Sequence, residues 1–397
     1  MRAVVVVGAG PAGMAAARTA ADAGATVTMV DSEPEAGGQY LRGRARFGHD
    51  GVTHLKNTEA WLVEGRTLHL RGRHPLQFDA LVIATGAYDR PLPFPGWDGP
   101  GVITAGAAQA LAKQGVTLAE RVIVSGSGPF LLPVATALQD LGATLVGVYE
   151  ASSPTRWLRE ARAIAANRHK IGELASYRKV LPHLETRTAV VAKHGSKVTV
   201  ATLDSRWRPT THRTEHADLV CVGYGFLPRT DLLPEAARAD DFLVVDERQQ
   251  TSVENVYAAG EVTGIGGADL SEAEGVVAGA AAAGQNPPKH ALDAVRRGRL
   301  FAGALARAHA VQPGWQEWLN DDTTVCRCEK VKKQDLEPAS TMRELKLTSR
   351  VAMGRCQGRI CARNAADLTG VPFDAQRRVI AIPIPLGELA TIPEEES

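Results

Sequence analysis

No cysteine precedes Cys221 in this 397-residue chain, and only five occur in all. The first half therefore has no dithiol pair for redox exchange. Nor does the count make the disulfide framework of a secreted protein, so a reducing cytoplasm is the expected compartment. No apolar run reaches the roughly 18 residues of a transmembrane helix. No charged leader with a small-residue cleavage site precedes the apolar stretch "AVVVV", so no signal peptide is expected. The net charge is +1, which leaves no electrostatic footprint for nucleic acid. Aromatic residues make up only 5%, while glycine alone numbers 39. Small residues in that abundance suit helices packed closely on sheets more than a β-sandwich.

What is present begins with a strand. "AVVVV" is a short β-branched run of the kind buried on both faces in a parallel sheet. It leads into "GAGPAG", a small-residue helical stretch and a second strand, "TVTMVD", which together make one βαβ unit. Gly8, Gly10 and Gly13 fit the dinucleotide-binding pattern GxGxxG. The first permits a tight turn, the second lets backbone approach a pyrophosphate, and the third lets helix and strand pack closely. Pro11 and Ala12 complete the loop, and the amides of the helix N-terminus would face the phosphates. Asp31, ending the next strand, is placed to accept from ribose hydroxyls.

A second βαβ unit starts at "RVIVSGSGPF". Gly126 and Gly128 fit the same pattern, but Leu131 replaces the third glycine and Pro133 falls early in the helix. The fold survives this change, while tight nicotinamide-dinucleotide binding is put in question; NAD(P) or another nucleotide is left open at this second site. Glu150 could hold a ribose there, or be a solvated loop acid. "DALVIATGAYDRPLPFPG" is a strand running into a Gly- and Pro-rich domain crossing. Arg156–Val180 reads as a basic helix whose cations face solvent or a partner. Trp315 and Trp318 are expected to bury against connecting helices.

Four of the five cysteines stand in two short strings: Cys326 and Cys328 in C-x-C spacing, Cys356 and Cys361 in C-x4-C. A 2Fe–2S cluster takes four thiolates, two for each iron. Zinc is the rival, although structural zinc sites favour wider spacing than C-x-C. Gly354 and Gly358 flank Cys356, where their amides could reach the sulfurs. Cys221, inside an apolar strand, reads as a core residue.

Taken together, these strings resemble the FAD-containing subunit of multi-subunit, dye-linked amino-acid and opine dehydrogenases. That family includes the alpha subunits of opine oxidase and D-hydroxyproline dehydrogenase and one subunit of hydrogen cyanide synthase. "GAGPAG", "VDSEPEAGGQY", "LVIATGAYDRPLPFPGW", "GSGPFLLPVA", "VYAAGEVTGIGGADLSEAEG" and "CRCEKV…GRCQGRICA" occur in family order over nearly the whole chain. The resemblance implies an α/β fold with two glutathione-reductase-like Rossmann-type domains and a small helical C-terminal 2Fe–2S domain of the bacterioferritin-associated-ferredoxin type. It implies an FAD-binding domain over 1–100 and 240–288, and a second, degenerate dinucleotide domain over 101–239. Connecting helices would follow over 289–320, the cluster domain over 321–372 and an extended tail over 373–397.

By the same resemblance Asp31 and Ser32 serve the FAD ribose, and Gly37, Gly38 and Gln39 lie near the flavin. Thr85 and Gly86 run beneath it. Gly260 and Glu261 approach the ribityl chain, with Glu261 where many relatives have Asp. The segment between Gly38 and Thr85 is shorter than in the family. Two partners are implied: a second, amine-oxidising flavoprotein subunit, and a small ferredoxin-like subunit. Three functions follow as alternatives: an electron relay for such a complex, a stand-alone NAD(P)H reductase, or a nucleotide-binding scaffold. No residue stands out as a substrate base. Tyr40, Tyr88 and His49 read as packing or loop residues.

Overall fold

The computed structural model describes all residues except 44–46, 168–171, 173–175, 178, 374–379 and 391–397. Along the chain the elements that position the sites are β1 (Ala3–Val7), α1 (Pro11–Asp22), β2 (Thr26–Val30), β3 (Val52–Leu55), β4 (Ala80–Ile83), β5 (Val102–Thr104) and α2 (Ala105–Lys113). They continue with β6 (Arg121–Gly126), α3 (Leu131–Asp140), β7 (Thr144–Glu150), β8 (Leu184–Thr186), β9 (Leu219–Gly223), β10 (Val256–Ala258), α4 (Ala268–Ala282) and α5 (Lys289–Ala308). The chain divides into two units, one of residues 1–87, 228–302 and 375–397, the other of 88–227 and 303–374.

Each unit is built on a five-stranded sheet. The first has the order β10-β4-β1-β2-β3 and the second β8-β7-β6-β9-β5, and every pairing in both is parallel. The glycine loop follows the central strand of each sheet, β1 or β6, where helix N-termini and strand C-termini meet. The continuous β-branched runs are explained by burial on both faces: Val4, Val5 and Val6 are almost fully enclosed.

In the first unit α1 and α4 pack with unusual closeness. A methyl on Gly275 would collide with the Ala12 carbonyl oxygen, and one on Gly279 with that of Ala16. Two glycines four apart give α4 a flat stripe for the alanine face of α1, which accounts for much of the small-residue composition. Of the tail, Ala381 donates its amide to the Trp61 carbonyl at 2.7 Å. Leu386–Leu389 forms one helical turn, a regular element that the proline content alone does not suggest.

In the second unit a three-stranded antiparallel sheet, Thr188–His194, Lys197–Leu203 and Pro209–His216, carries one wall of a large core. Trp315 and Trp318 do not bury against the connecting helix Lys289–Ala308, as the sequence suggests. They enter this core with Trp207, Tyr224, Val325, Cys326, Leu345 and Cys361. Trp207 and Trp318 stack with centroids 6.3 Å apart and planes 17° apart. Trp318 Nε1 also donates to the Trp207 carbonyl at 3.0 Å. The expected basic helix over Arg156–Val180 is a 3-10 helix, Pro154–Glu160, followed by a short α-helix, Ala161–Ala166. Part of the remaining stretch lies outside the described residues.

Candidate functional site

The first glycine loop is over-determined by contacts. Gly8 has φ +104° and donates its amide to the Val30 carbonyl at 2.8 Å. A methyl at Gly8 would strike the Ala84 carbonyl oxygen, and one at Gly13 would strike the Gly8 carbonyl oxygen. Beside Gly10 there is open space instead, with no atom within 4 Å of an added methyl. The helix α1 starts at Pro11, whose missing N–H costs nothing in the first turn, and no side chain caps it. Its first amides are thus directed at the space beside Gly10, the condition for anion binding.

Around that loop the structure gathers the other expected residues. The Asp31 carboxylate accepts from the Ala9 amide and, at 2.7 Å, from the Glu33 amide. Gly37 (φ +116°) donates to the Ala9 carbonyl at 2.7 Å, and Gly38 packs against Gly10. Thr85 Oγ1 donates to the Arg229 carbonyl at 2.6 Å, and the Gly86 carbonyl accepts from the Arg229 amide at 2.9 Å. Gly260 (φ +82°) lies against Ala12, which places Glu261 beside the start of α1. Ser32 and Gln39 follow directly from Asp31 and Gly38. His49 is tied to Asp22 at 3.0 Å in a surface loop, and Tyr40 is exposed.

Two groups here escaped the sequence reading. Glu274, on α4, is 1% exposed. One of its oxygens accepts from the Gly260 amide and Thr263 Oγ1, both at 2.9 Å, and the other pairs with Arg299 Nε at 3.0 Å. It fixes the loop that carries Glu261. Arg42 forms a two-pronged pair with Glu33, at 2.9 and 3.1 Å, next to Asp31. The only hint for Glu274 was an acid amid a helix of apolar and small residues.

The second loop follows a different backbone path. Gly128, not Gly126, holds the left-handed conformation, at φ +111°. Leu131 occupies the third-glycine position and is 2% exposed. The helix α3 begins only at Leu131, five residues past Gly126, whereas α1 begins three past Gly8. Its amides therefore start farther from the strand end. Glu150 accepts from the Gly128 and Ser152 amides at 2.7 and 2.8 Å. Tyr88 is covered by the Arg359 guanidinium at 5.9 Å.

The four clustered thiols lie in this second unit. Cys326 ends the short strand Thr324–Cys326, Cys328 is in the turn that follows, and Cys361 precedes the helix Ala362–Thr369. Hydrogen-bond coupling links their titrations in sequence: Cys361 with Cys326 and Cys356, and Cys356 with Cys328. The Cys361 thiol, with the Glu329 and Ala352 amides, pulls Cys326 down to about 6. Cys361, with the Ile360 and Gly358 amides, pulls Cys356 down to about 5. Cys361 itself is pushed far up by those same bonds and by burial. At Cys328 the Cys356 amide favours the thiolate, but burial and the Cys356 charge outweigh it and the thiol is raised. Four thiolates together therefore need a positive occupant.

Gly354 makes room, since a methyl there would collide with Cys328 Cβ. Lys330, Arg350, Ala352 and Gln357 all adopt positive φ in this segment, a concentration of backbone strain that marks functional loops. Among the described residues, no three His, Cys, Asp or Glu side chains converge on a single ion position.

Residues 2–298 match the description "Pyridine nucleotide-disulphide oxidoreductase". The chain belongs to this family. Two curated relatives are similar over almost the full length. Hydrogen cyanide synthase subunit HcnB of Pseudomonas protegens is 30% identical, covering 91% of each chain. An opine oxidase subunit of Rhizobium meliloti is 30% identical, over 98% of this chain and 87% of its own. The L-proline dehydrogenase structure from P. horikoshii superposes with a TM-score of 0.69 at 18% identity, covering 98% of this chain and 79% of that one, a likeness of fold.

This pyridine nucleotide-disulphide oxidoreductase family member is an FAD-dependent oxidoreductase, and no cysteine pair precedes Cys221 in it. The fifth cysteine, Cys221, is fully buried in β9 and its thiol is pushed up by that burial. Among the described residues no helix is long and apolar enough to cross a membrane.

Proposed function

We propose that this chain is the electron-transferring flavoprotein subunit of a multi-subunit dehydrogenase acting on amines, amino acids or opines. Its Cys326, Cys328, Cys356 and Cys361 would hold a 2Fe–2S cluster within the segment 321–372, which shares the core of the second unit. The observation that carries this reading is the gathering of four of the five cysteines into C-x-C and C-x4-C pairs whose titrations are linked from one to the next, with Cys326 and Cys356 shifted toward thiolate. A single zinc ion draws its donors to one point, whereas a diiron centre takes two thiolates at each metal. The C-x-C and C-x4-C pairs suit the second.

FAD fits the first unit. The Gly8–Gly13 loop and the start of α1 would take its pyrophosphate, Asp31 its ribose, and the Gly260–Glu261 corner its ribityl chain. A flavin accepts two electrons together and an iron–sulfur cluster carries one at a time, so a chain holding both supplies conversion between the two kinds of transfer. The protein's part is to hold each group. Glu274 fixes the Gly260 corner, and buried Cys326 and Cys361 tie the thiol segment into the second core.

The names of the relatives, subunits of hydrogen cyanide synthase and opine oxidase, support partner chains. The expected ones are an amine-oxidising flavoprotein subunit, and with it a small ferredoxin-like subunit, in the cytoplasm. A second reading, a stand-alone NAD(P)H reductase, is favoured by the second dinucleotide fold with Glu150 at its strand end. The late start of α3 counts against it. Anaerobic purification with iron, sulfide and visible-spectrum analysis tests the assignment. A colourless chain, or one carrying zinc, overturns the cluster; rapid bleaching of the isolated chain's flavin by NADH overturns the relay in favour of the reductase.

A further inference from the structure

The second glycine loop already has something standing in it. His309, one residue past α5, continues that helix by donating its amide to the Leu305 carbonyl at 3.0 Å. Its imidazole reaches Ser127, the residue between the two glycines. Nδ1 lies 3.3 Å from Ser127 Oγ and 3.5 Å from a Glu150 oxygen. Ser127 Oγ is also 3.1 Å from Ser152 Oγ and 3.4 Å from the His309 carbonyl. On the ring's other side, Trp157 Nε1 donates to Nε2 at 3.2 Å. Ser127, Glu150 and Ser152 are 6%, 8% and 2% exposed, so this is an enclosed polar cluster.

We propose that His309 is an internal occupant of the second glycine loop, closing it to dinucleotides. In a dinucleotide fold the loop between the glycines faces phosphate and the acid at the end of the second strand takes ribose. Here the imidazole engages both positions at once. The indole N–H can only donate, so Nε2 accepts and the ring proton sits on Nδ1, directed at Ser127 and Glu150. Arg307 holds the arrangement in place: its guanidinium pairs with both Glu160 oxygens, at 2.9 and 2.7 Å, on the 3-10 helix that presents Trp157. Leu131 and the late start of α3 alter the same loop, so removal of the imidazole restores space but not the full phosphate site. This inference concerns the second loop alone and holds or fails apart from the cluster.

The test is titration of the FAD-loaded full chain with NADH and with ADP, followed by calorimetry, for the wild type, His309→Ala and His309→Gln. His309→Ala should bind at least tenfold more tightly than wild type, and millimolar free imidazole should reverse the gain. His309→Gln, which refills the space, should resemble the wild type. Equal affinities in wild type and His309→Ala, including no binding in either, overturn the proposal. Should the alanine variant not fold, 15N-histidine NMR of the wild type decides. The expected state is the Nδ1–H tautomer, unchanged by 1 mM NADH, a concentration of about the upper end of ordinary enzyme affinities; an Nε2–H tautomer, or a signal displaced by NADH, overturns it.

Discussion

A methyl group on Gly13 would overlap the carbonyl oxygen of Gly8, five residues earlier. The corresponding position in the second loop is Leu131, and there the helix starts later. The contrast shows why the third glycine matters: it lets the helix start close against the turn, so that its amides reach what the turn holds.

Gly13→Ala should therefore lose flavin. The added methyl cannot be absorbed without moving Gly8 off its left-handed turn, a strain of about 1–3 kcal/mol by analogy with overpacked cores. The expected outcome is a folded chain with at least a tenfold lower ratio of flavin absorbance to protein. A fully flavinated variant would contradict the role given to the loop.

Glu274→Ala strips partners from the Gly260 amide, Thr263 and Arg299 together. Loss of a buried charged partner costs about 3–5 kcal/mol, lowered here because Arg299 remains partly open to solvent. Thermal melts should show a drop of several degrees and faster flavin release, with Glu274→Gln intermediate because it keeps one acceptor for Gly260.

Cys356→Ser should abolish iron and sulfide while leaving flavin content unchanged, since the two groups are assigned to separate units of the chain. Retention of both iron and sulfide would contradict the ligand assignment. Gly354→Ala, which pushes on Cys328 Cβ, should lower iron content without removing any thiol.

Trp318→Ala removes a buried ring stacked on Trp207. Truncation of such a side chain costs about 3–5 kcal/mol. Because the thiol segment shares that core, iron release and loss of the second unit's near-ultraviolet signal should shift together to lower temperature. Two separate transitions would show that the segment folds by itself.

Much of the architecture was legible because its signals are local. "AVVVV" and "GAGPAG" specify a strand, a turn and a helix start within a dozen residues, and the clustering of four cysteines needs only counting. The contacts that were not legible span large sequence distances. Nothing near Ser127 announces that His309 fills its loop, because the two are brought together by α5 and the Trp157 helix. Glu274 drew no reading at all, since its partners Gly260, Thr263 and Arg299 are assembled only by folding. Trp315 and Trp318 gave a signal of burial but none of direction: their partners, Trp207 and Tyr224, stand in the loop between two antiparallel strands and just past β9, where no periodicity points to them. The one-turn helix at Leu386 lay under prolines that pointed elsewhere.

The tryptophan-lined interior of the second unit is walled on one side by its antiparallel strands and on the other by the segment bearing the thiols. That segment is not a detachable cartridge. Cutting the chain ahead of Asn320 would strip Val325, Leu345 and Cys361 from the core that holds Trp207 and Tyr224, and the orphaned fragment would keep its sulfur ligands but lack the wall they lean on. Transplanting such a motif between proteins would thus mean carrying half of a neighbouring fold along with it.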